Sequence, residues 1–87
     1  MTDNDILERI QKVYNSVMGT DKTILTPDTK IIKTKQVSSF VLMEFIMNIE
    51  EEFDIELSYL SIRSAKTVQD LIDIIKKISE NSLSVDN

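Results

Sequence analysis

Val37-Ser38-Ser39-Phe40-Val41-Leu42-Met43-Glu44-Phe45-Ile46-Met47-Asn48-Ile49-Glu50-Glu51-Glu52-Phe53-Asp54-Ile55-Glu56 is the stretch that decides the fold. Leu42, Ile46, Ile49 and Phe53 recur at intervals of three and four, the period of one helix face, so the spacing predicts a helix from about Ser39 to Phe53. At about 100° per residue, Val41, Glu44, Asn48, Glu51 and Glu52 fall opposite that stripe, and Phe40, Met43 and Met47 fall on a flank between the two faces. A helix apolar over so much of its circumference belongs in the middle of a small bundle, or keeps Met43 and Met47 outside as an adaptable contact surface. Ser38, just before the helix, is a good N-cap.

Helical spacing also appears on both sides. Towards the N-terminus, Ile6, Leu7, Ile10, Val13, Tyr14 and Val17 make one stripe, with Asp3 or Asp5 expected as the cap and Gly19 as the stop. A long connection from Thr20 to Val37 follows. Its Thr26-Pro27-Asp28-Thr29 reads as a turn, and Ile24, Leu25, Ile31 and Ile32 are expected to pin it over the core. Towards the C-terminus, one helical turn is expected near Tyr59–Arg63. A last helix starts at Thr67-Val68-Gln69-Asp70, a capping box with Asp for the usual Glu. Val68, Leu71, Ile72, Ile75 and Ile78 share its inner face, and Lys76 and Lys77 suit its C-terminal end. Residues after Ser79 are polar and expected to fray. The domain reading is therefore 1–78 as one folded unit and 79–87 as a tail, with an all-α antiparallel four-helix bundle of three long helices and one short.

Composition narrows the function. The chain has 87 residues, enough for one small core, with one Gly and one Pro. It contains no Cys and no His. Disulfides and thiolate metal sites are ruled out, and any thiol chemistry needs a thiol supplied by a cofactor. Without the one side chain that titrates near neutrality, an independent acid–base or nucleophilic enzyme is not expected. The net charge of −5 repels nucleic acid and anionic lipid, and attracts enzymes with basic docking patches. No apolar run is long enough to insert in a bilayer. The opening Thr2-Asp3-Asn4-Asp5 is unlike the basic-then-apolar order of a secretory signal, so a cytoplasmic protein is expected. The Glu50–Glu52 run is ordinarily a solvated face, but carboxylates at a helix C-terminus oppose the dipole, and docking to basic patches is a reason for them. Consecutive helical carboxylates do not converge on one point, so no metal site is read here.

Three segments carry a family likeness: Ser39-Phe40 followed by Glu50-Glu51-Glu52-Phe53-Asp54-Ile55-Glu56, the Thr26-Pro27-Asp28 of the first loop, and Lys66-Thr67-Val68-Gln69-Asp70-Leu71. Over about Ile6 to Ile78 the chain resembles acyl carrier proteins. The resemblance implies a covalent 4′-phosphopantetheine from coenzyme A on Ser39, and partners comprising a phosphopantetheinyl transferase and acyl- or aminoacyl-loading and processing enzymes. It implies a carrier, not an enzyme, working as a monomer. Ser38, Phe40, Met43, Glu44, Met47 and Glu51 would form the partner-binding surface.

The chain also departs from the family pattern. Ser38 stands where the family has Asp, Val41 where fatty-acid carriers often have Asp, and Lys35-Gln36 where they read Gly-Leu or Leu-Gly. Lys30, Lys33 and Lys35 make the preceding loop basic. Three such lysines are usually a solvated loop. Together with Ser38 and Val41, they point to a dedicated partner and a specialised pathway. The alternative is an unmodified, carrier-shaped interaction module.

Overall fold

The computed structural model describes residues 2–19, 22–31 and 39–85, with side chains described in these segments except at 39, 59 and 81–85. Four helices follow one another: α1 Asp3–Met18, α2 Ser39–Phe53, α3 Tyr59–Ser64 and α4 Val68–Val85. Among the described residues the only β pairing is an isolated antiparallel bridge between Lys30 and Thr67. The chain is the expected bundle of three long helices and one short.

Ile6, Ile10 and Val13 of α1, Phe45, Ile49 and Phe53 of α2, Ile62 of α3 and Val68, Leu71, Ile72 and Ile75 of α4 form a single apolar core. No buried side-chain polar atom there lacks a partner among the described residues. Phe45 is a correction to the expected stripe: it is buried and meets Tyr14 of α1 edge-on, with ring centroids 6.1 Å apart. Leu42 and Ile46 are only half-buried. The physical reason is that α2 packs against α1 on one side and α3 and α4 on the other. Its buried arc is therefore wider than one stripe and is shifted towards Phe45.

The helix ends differ from expectation at α1. Thr2, not Asp3 or Asp5, is the N-cap. Its Oγ1 accepts from the Asp5 N–H at 3.1 Å, and Asp5 Oδ2 accepts from the Thr2 N–H at 3.3 Å, a closed capping box. Asp3 is thereby left to pair with Lys76 Nζ at 3.0 Å. Gly19 stops α1 in the left-handed region at φ 68, where a glycine costs nothing. At the end of α2 that role falls to Asp54, at φ 53, while the Ile55 N–H donates back to the Glu50 carbonyl at 3.1 Å. The expected box at α4 is present: the Asp70 N–H donates to Thr67 Oγ1 at 3.2 Å and the Thr67 N–H to Asp70 Oδ2 at 3.1 Å. Because α4 continues to Val85, past the expected end at Ser79, Lys76 is a mid-helix residue bridging to α1 and not a C-terminal counter-charge.

The first loop is tied down mainly by hydrogen bonds. Gln11 Nε2 donates to the Thr23 carbonyl at 2.8 Å, and Gln11 Oε1 accepts from the Leu25 N–H at 2.7 Å. Leu25 is buried and Ile31 half-buried, but Ile24 is 79 % exposed and pins nothing. Carbonyls of the loop then serve α4: Val68 N–H donates to Thr29 O at 2.8 Å and Gln69 N–H to Pro27 O at 2.9 Å. Two N–H groups that a helix start leaves without intrahelical partners are thus satisfied by a segment about 40 residues earlier. Ile32, Lys33, Lys35, Gln36 and Ser38, with the cap expected of Ser38, lie outside the described residues.

Candidate functional site

Ser39 is the first residue of α2. The amide end of a helix carries positive partial charge and unpaired N–H groups, which suits a negatively charged substituent. No acidic side chain stands in the first turn to oppose an anion there. A phosphodiester on the residue that opens this helix fits that environment.

Beside it runs the outward face of α2. Phe40 is 78 % and Met47 61 % exposed, with Met43 exposed between them. The sequence puts these three on a flank. With the core arc centred between Phe45 and Ile46, Phe40 and Met47 instead sit near the middle of the solvent side. Three large apolar side chains at i, i+3 and i+7 on an outward face are not explained by packing within the chain. Glu44 and Glu51 are exposed alongside them.

The acidic run divides by function. Glu50 is half-buried and its Oε2 accepts from the Leu57 N–H at 2.9 Å, holding the α2–α3 connection. Glu52, placed opposite the core by the sequence, is turned towards α1, where its Oε2 accepts from Arg9 Nε at 2.8 Å. Arg9 also donates to the Glu52 carbonyl and lies over the Phe53 ring, 4.3 Å from its centroid. Only Glu44 and Glu51 of the four helical carboxylates are left facing solvent. The sequence pattern leaves Glu50 off the face opposite the core but does not separate Glu52 from Glu44 and Glu51, because its partner Arg9 lies on another helix. No group of three acidic side chains among the described residues could hold a metal ion.

Inside the same end of α2 lies an apolar cavity of about 100 Å³, bordered by Ile10, Tyr14, Leu25, Val41, Leu42 and Phe45. Val41 and Leu42 belong to the first turn that Ser39 opens, so the cavity adjoins the helix start from within. A second one, between α2, α3 and α4, is small, at about 10 Å³.

No helix among the described residues is long and apolar enough to cross a membrane. Residues 8–75 match the family model described as a phosphopantetheine attachment site. The chain is 29 % identical to the acyl carrier protein of Cyanidioschyzon merolae over the full length of both chains. It is 32 % identical to that of Solidesulfovibrio magneticus over 83 % of this chain and 92 % of that one. Its fold matches the solution structure of holo acyl carrier protein from Geobacter metallireducens with a TM-score of 0.78, at 23 % identity and 90 % coverage of each. The chain therefore belongs to the acyl carrier protein family, whose members bear 4′-phosphopantetheine, interact with a phosphopantetheinyl transferase and acyl-processing enzymes, and are carriers and not enzymes.

Proposed function

We propose that Ser39 is the attachment residue, and that the outward row of Phe40, Met43 and Met47, edged by Glu44 and Glu51, is where partner enzymes dock. The observation that carries this reading is the coincidence of a serine at the start of α2 with an exposed apolar row running away from it on the same helix. When bound, the arm supplies a thiol on which an acyl or aminoacyl group is held as a thioester. The chain's own part is positional. The amide end of α2 favours the phosphate charge, and the rigid helix sets the arm at a constant offset from the docking row, which raises the effective concentration of cargo at an enzyme bound there. Phe40 and the two methionines contribute apolar area that can adapt to several partners, while Glu44 and Glu51 steer basic docking patches. The cavity behind Val41 and Leu42 shelters a short apolar segment of the cargo.

In this reading the functional unit is a cytoplasmic monomer in a specialised pathway, with residues 1–78 as the carrier domain and 79–87 as its tail. Ser38 belongs to the partner-binding surface. The specialised pathway is supported by Ser38, Val41 and the basic loop, which remove acidity around the attachment point.

Intact mass after incubation with coenzyme A and a permissive phosphopantetheinyl transferase tests the assignment. One phosphopantetheine is expected on the wild type and on Ser38→Ala, and none on Ser39→Ala. Loading of Ser39→Ala would move the site. No loading of the wild type would favour the unmodified, docking-only protein.

A further inference from the structure

The outward side chains of α3 are unlike those of α2. Leu60 is 75 % exposed, and Arg63, one turn on along the same face, is also exposed. From Leu57 to Gln69 the chain has no acidic residue, whereas Arg63 and Lys66 are both cations and both exposed. Lys30 extends the same surface: it is exposed, it pairs with Thr67 across the isolated bridge, and the next residue, Ile31, donates its N–H to the Lys66 carbonyl at 3.0 Å. Two carboxylates neighbour these three cations: Asp70, which is held by the backbone N–H groups of Lys66 and Thr67 and offsets part of the Lys66 charge, and the exposed Asp28, two residues before Lys30. A chain of net charge −5 therefore has one corner that is cationic and carries a leucine.

This corner adjoins the attachment end of α2. Lys30, Val41 and Leu42 border one cavity, and Ile62, on the inner side of α3, borders the other together with Leu42. Internal packing does not account for Leu60, whose side chain lies outside the core. A single exposed leucine is ordinary. One set among cations at a corner that adjoins the start of α2 is a candidate contact.

Resting on the carrier reading above, we infer that Leu60, Arg63, Lys66 and Lys30 form a second docking contact of opposite polarity to α2. The enzyme that fits is basic where it meets Glu44 and Glu51, but acidic, with an apolar recess for Leu60, where it meets α3. An enzyme that is basic across its whole docking patch meets like charge at this corner and is turned away. Juxtaposed like charges are an effective way to exclude a wrong partner.

The test is direct binding, by surface plasmon resonance, of the apo chain to a phosphopantetheinyl transferase of the fatty-acid-carrier type with a uniformly basic patch. Wild type is compared with Arg63→Glu/Lys66→Glu, with the milder Arg63→Gln/Lys66→Gln, and with Leu60→Ser, each with helix content checked by circular dichroism. The double reversal is expected to lower Kd roughly five- to tenfold at low ionic strength, and the neutral pair to lower it by less. Both gains should vanish at about 0.5 M salt, where the screening length is only a few ångströms. The same transferase with glutamates in place of its basic residues facing α3 should bind the wild type more tightly than the unaltered enzyme does, and Leu60→Ser should weaken that complex about threefold. A folded double reversal whose Kd stays within about twofold of wild type at low salt overturns the proposal. Repeating the series on Ser39→Ala separates the two readings: docking does not need the hydroxyl, so loading of Ser39→Ala, or absence of loading on the wild type, counts against Ser39 alone, and absence of the Kd shift counts against the corner alone.

Discussion

Arg9 of α1 donates from Nε to the Glu52 carboxylate of α2 at 2.8 Å, joining two helices 43 residues apart in the chain. The guanidinium also covers the Phe53 ring and reaches the Glu52 carbonyl, so it closes the C-terminal end of α2, where carbonyls lack intrahelical donors. Arg9→Ala is expected to lose about 1–2 kcal/mol in urea denaturation. Most of that comes from the ring contact and the bond to the carbonyl, because the ion pair itself is partly exposed and screened. Arg9→Lys should recover less than half, since an ammonium lacks the planar fork. A loss below about 0.5 kcal/mol would show that the clasp is incidental.

Phe45 and Phe40 share a helix and a residue type but not a role. Phe45→Ala should cost about 3–5 kcal/mol, as for other buried aromatics. Phe40→Ala should change stability by less than about 0.5 kcal/mol and instead raise KM for loading by a transferase. Equal stability losses in the two variants would contradict the orientation of α2.

Asp70 has its carboxyl held below its ordinary value of 3.8, first by the Lys66 and Thr67 backbone N–H groups that donate to the ionised form. The sign follows: a carboxyl with a depressed folded pKa stabilises fully above its unfolded pKa and loses that contribution as pH falls through the folded value. Asp70→Asn removes the titration. The difference in Tm between wild type and Asp70→Asn should be constant from neutral pH to about pH 5 and shrink below about pH 4. A difference that stays flat down to about pH 2.5 would mean that the cap does not depend on charge.

Asp54 occupies the left-handed region at φ 53 without being glycine. Asp54→Gly relieves that strain and removes a negative charge from the C-terminal end of α2, so thermal denaturation should show a gain of about 0.5–1 kcal/mol. A destabilised Asp54→Gly would require a favourable interaction of the Asp54 side chain outweighing the strain.

Ser38→Asp restores the acid that the family carries before its attachment serine. Loading by a fatty-acid-type transferase should rise in kcat/KM by about three- to tenfold at low salt, with little change at high salt. Wild-type loading already as fast as that of a fatty-acid carrier would remove the argument for a dedicated partner.

The helical frame was legible because an apolar stripe recurring every three to four residues reports burial whatever lies across from it. Ile6, Ile10, Val13, Leu71, Ile72 and Ile75 are buried as their spacing implies. The Thr67–Asp70 box was readable for a related reason, since its partners are three residues apart. Features that depend on distant elements were not. Phe45 joins the core because Tyr14 meets it. Glu50 and Glu52 turn from solvent because Leu57 and Arg9 offer donors. Ile24 stays outside because Gln11, a polar residue with no apolar signal, fastens the loop on either side of it. The outward apolar row was visible as a pattern, but the place of Phe40 and Met47 near the middle of the solvent face, with Met43 to one side, is read from their exposure and not from the flank assigned to them.

The carbonyls of Pro27 and Thr29 complete the first turn of α4. The early loop and the last helix are therefore expected to melt together, and slow amide exchange at Val68 and Gln69 would report on the integrity of a bend far upstream. An extra residue inserted between Thr26 and Ile31 would withdraw acceptors from a helix it never touches in sequence, so changes of loop length in this chain are tolerable only outside that short span.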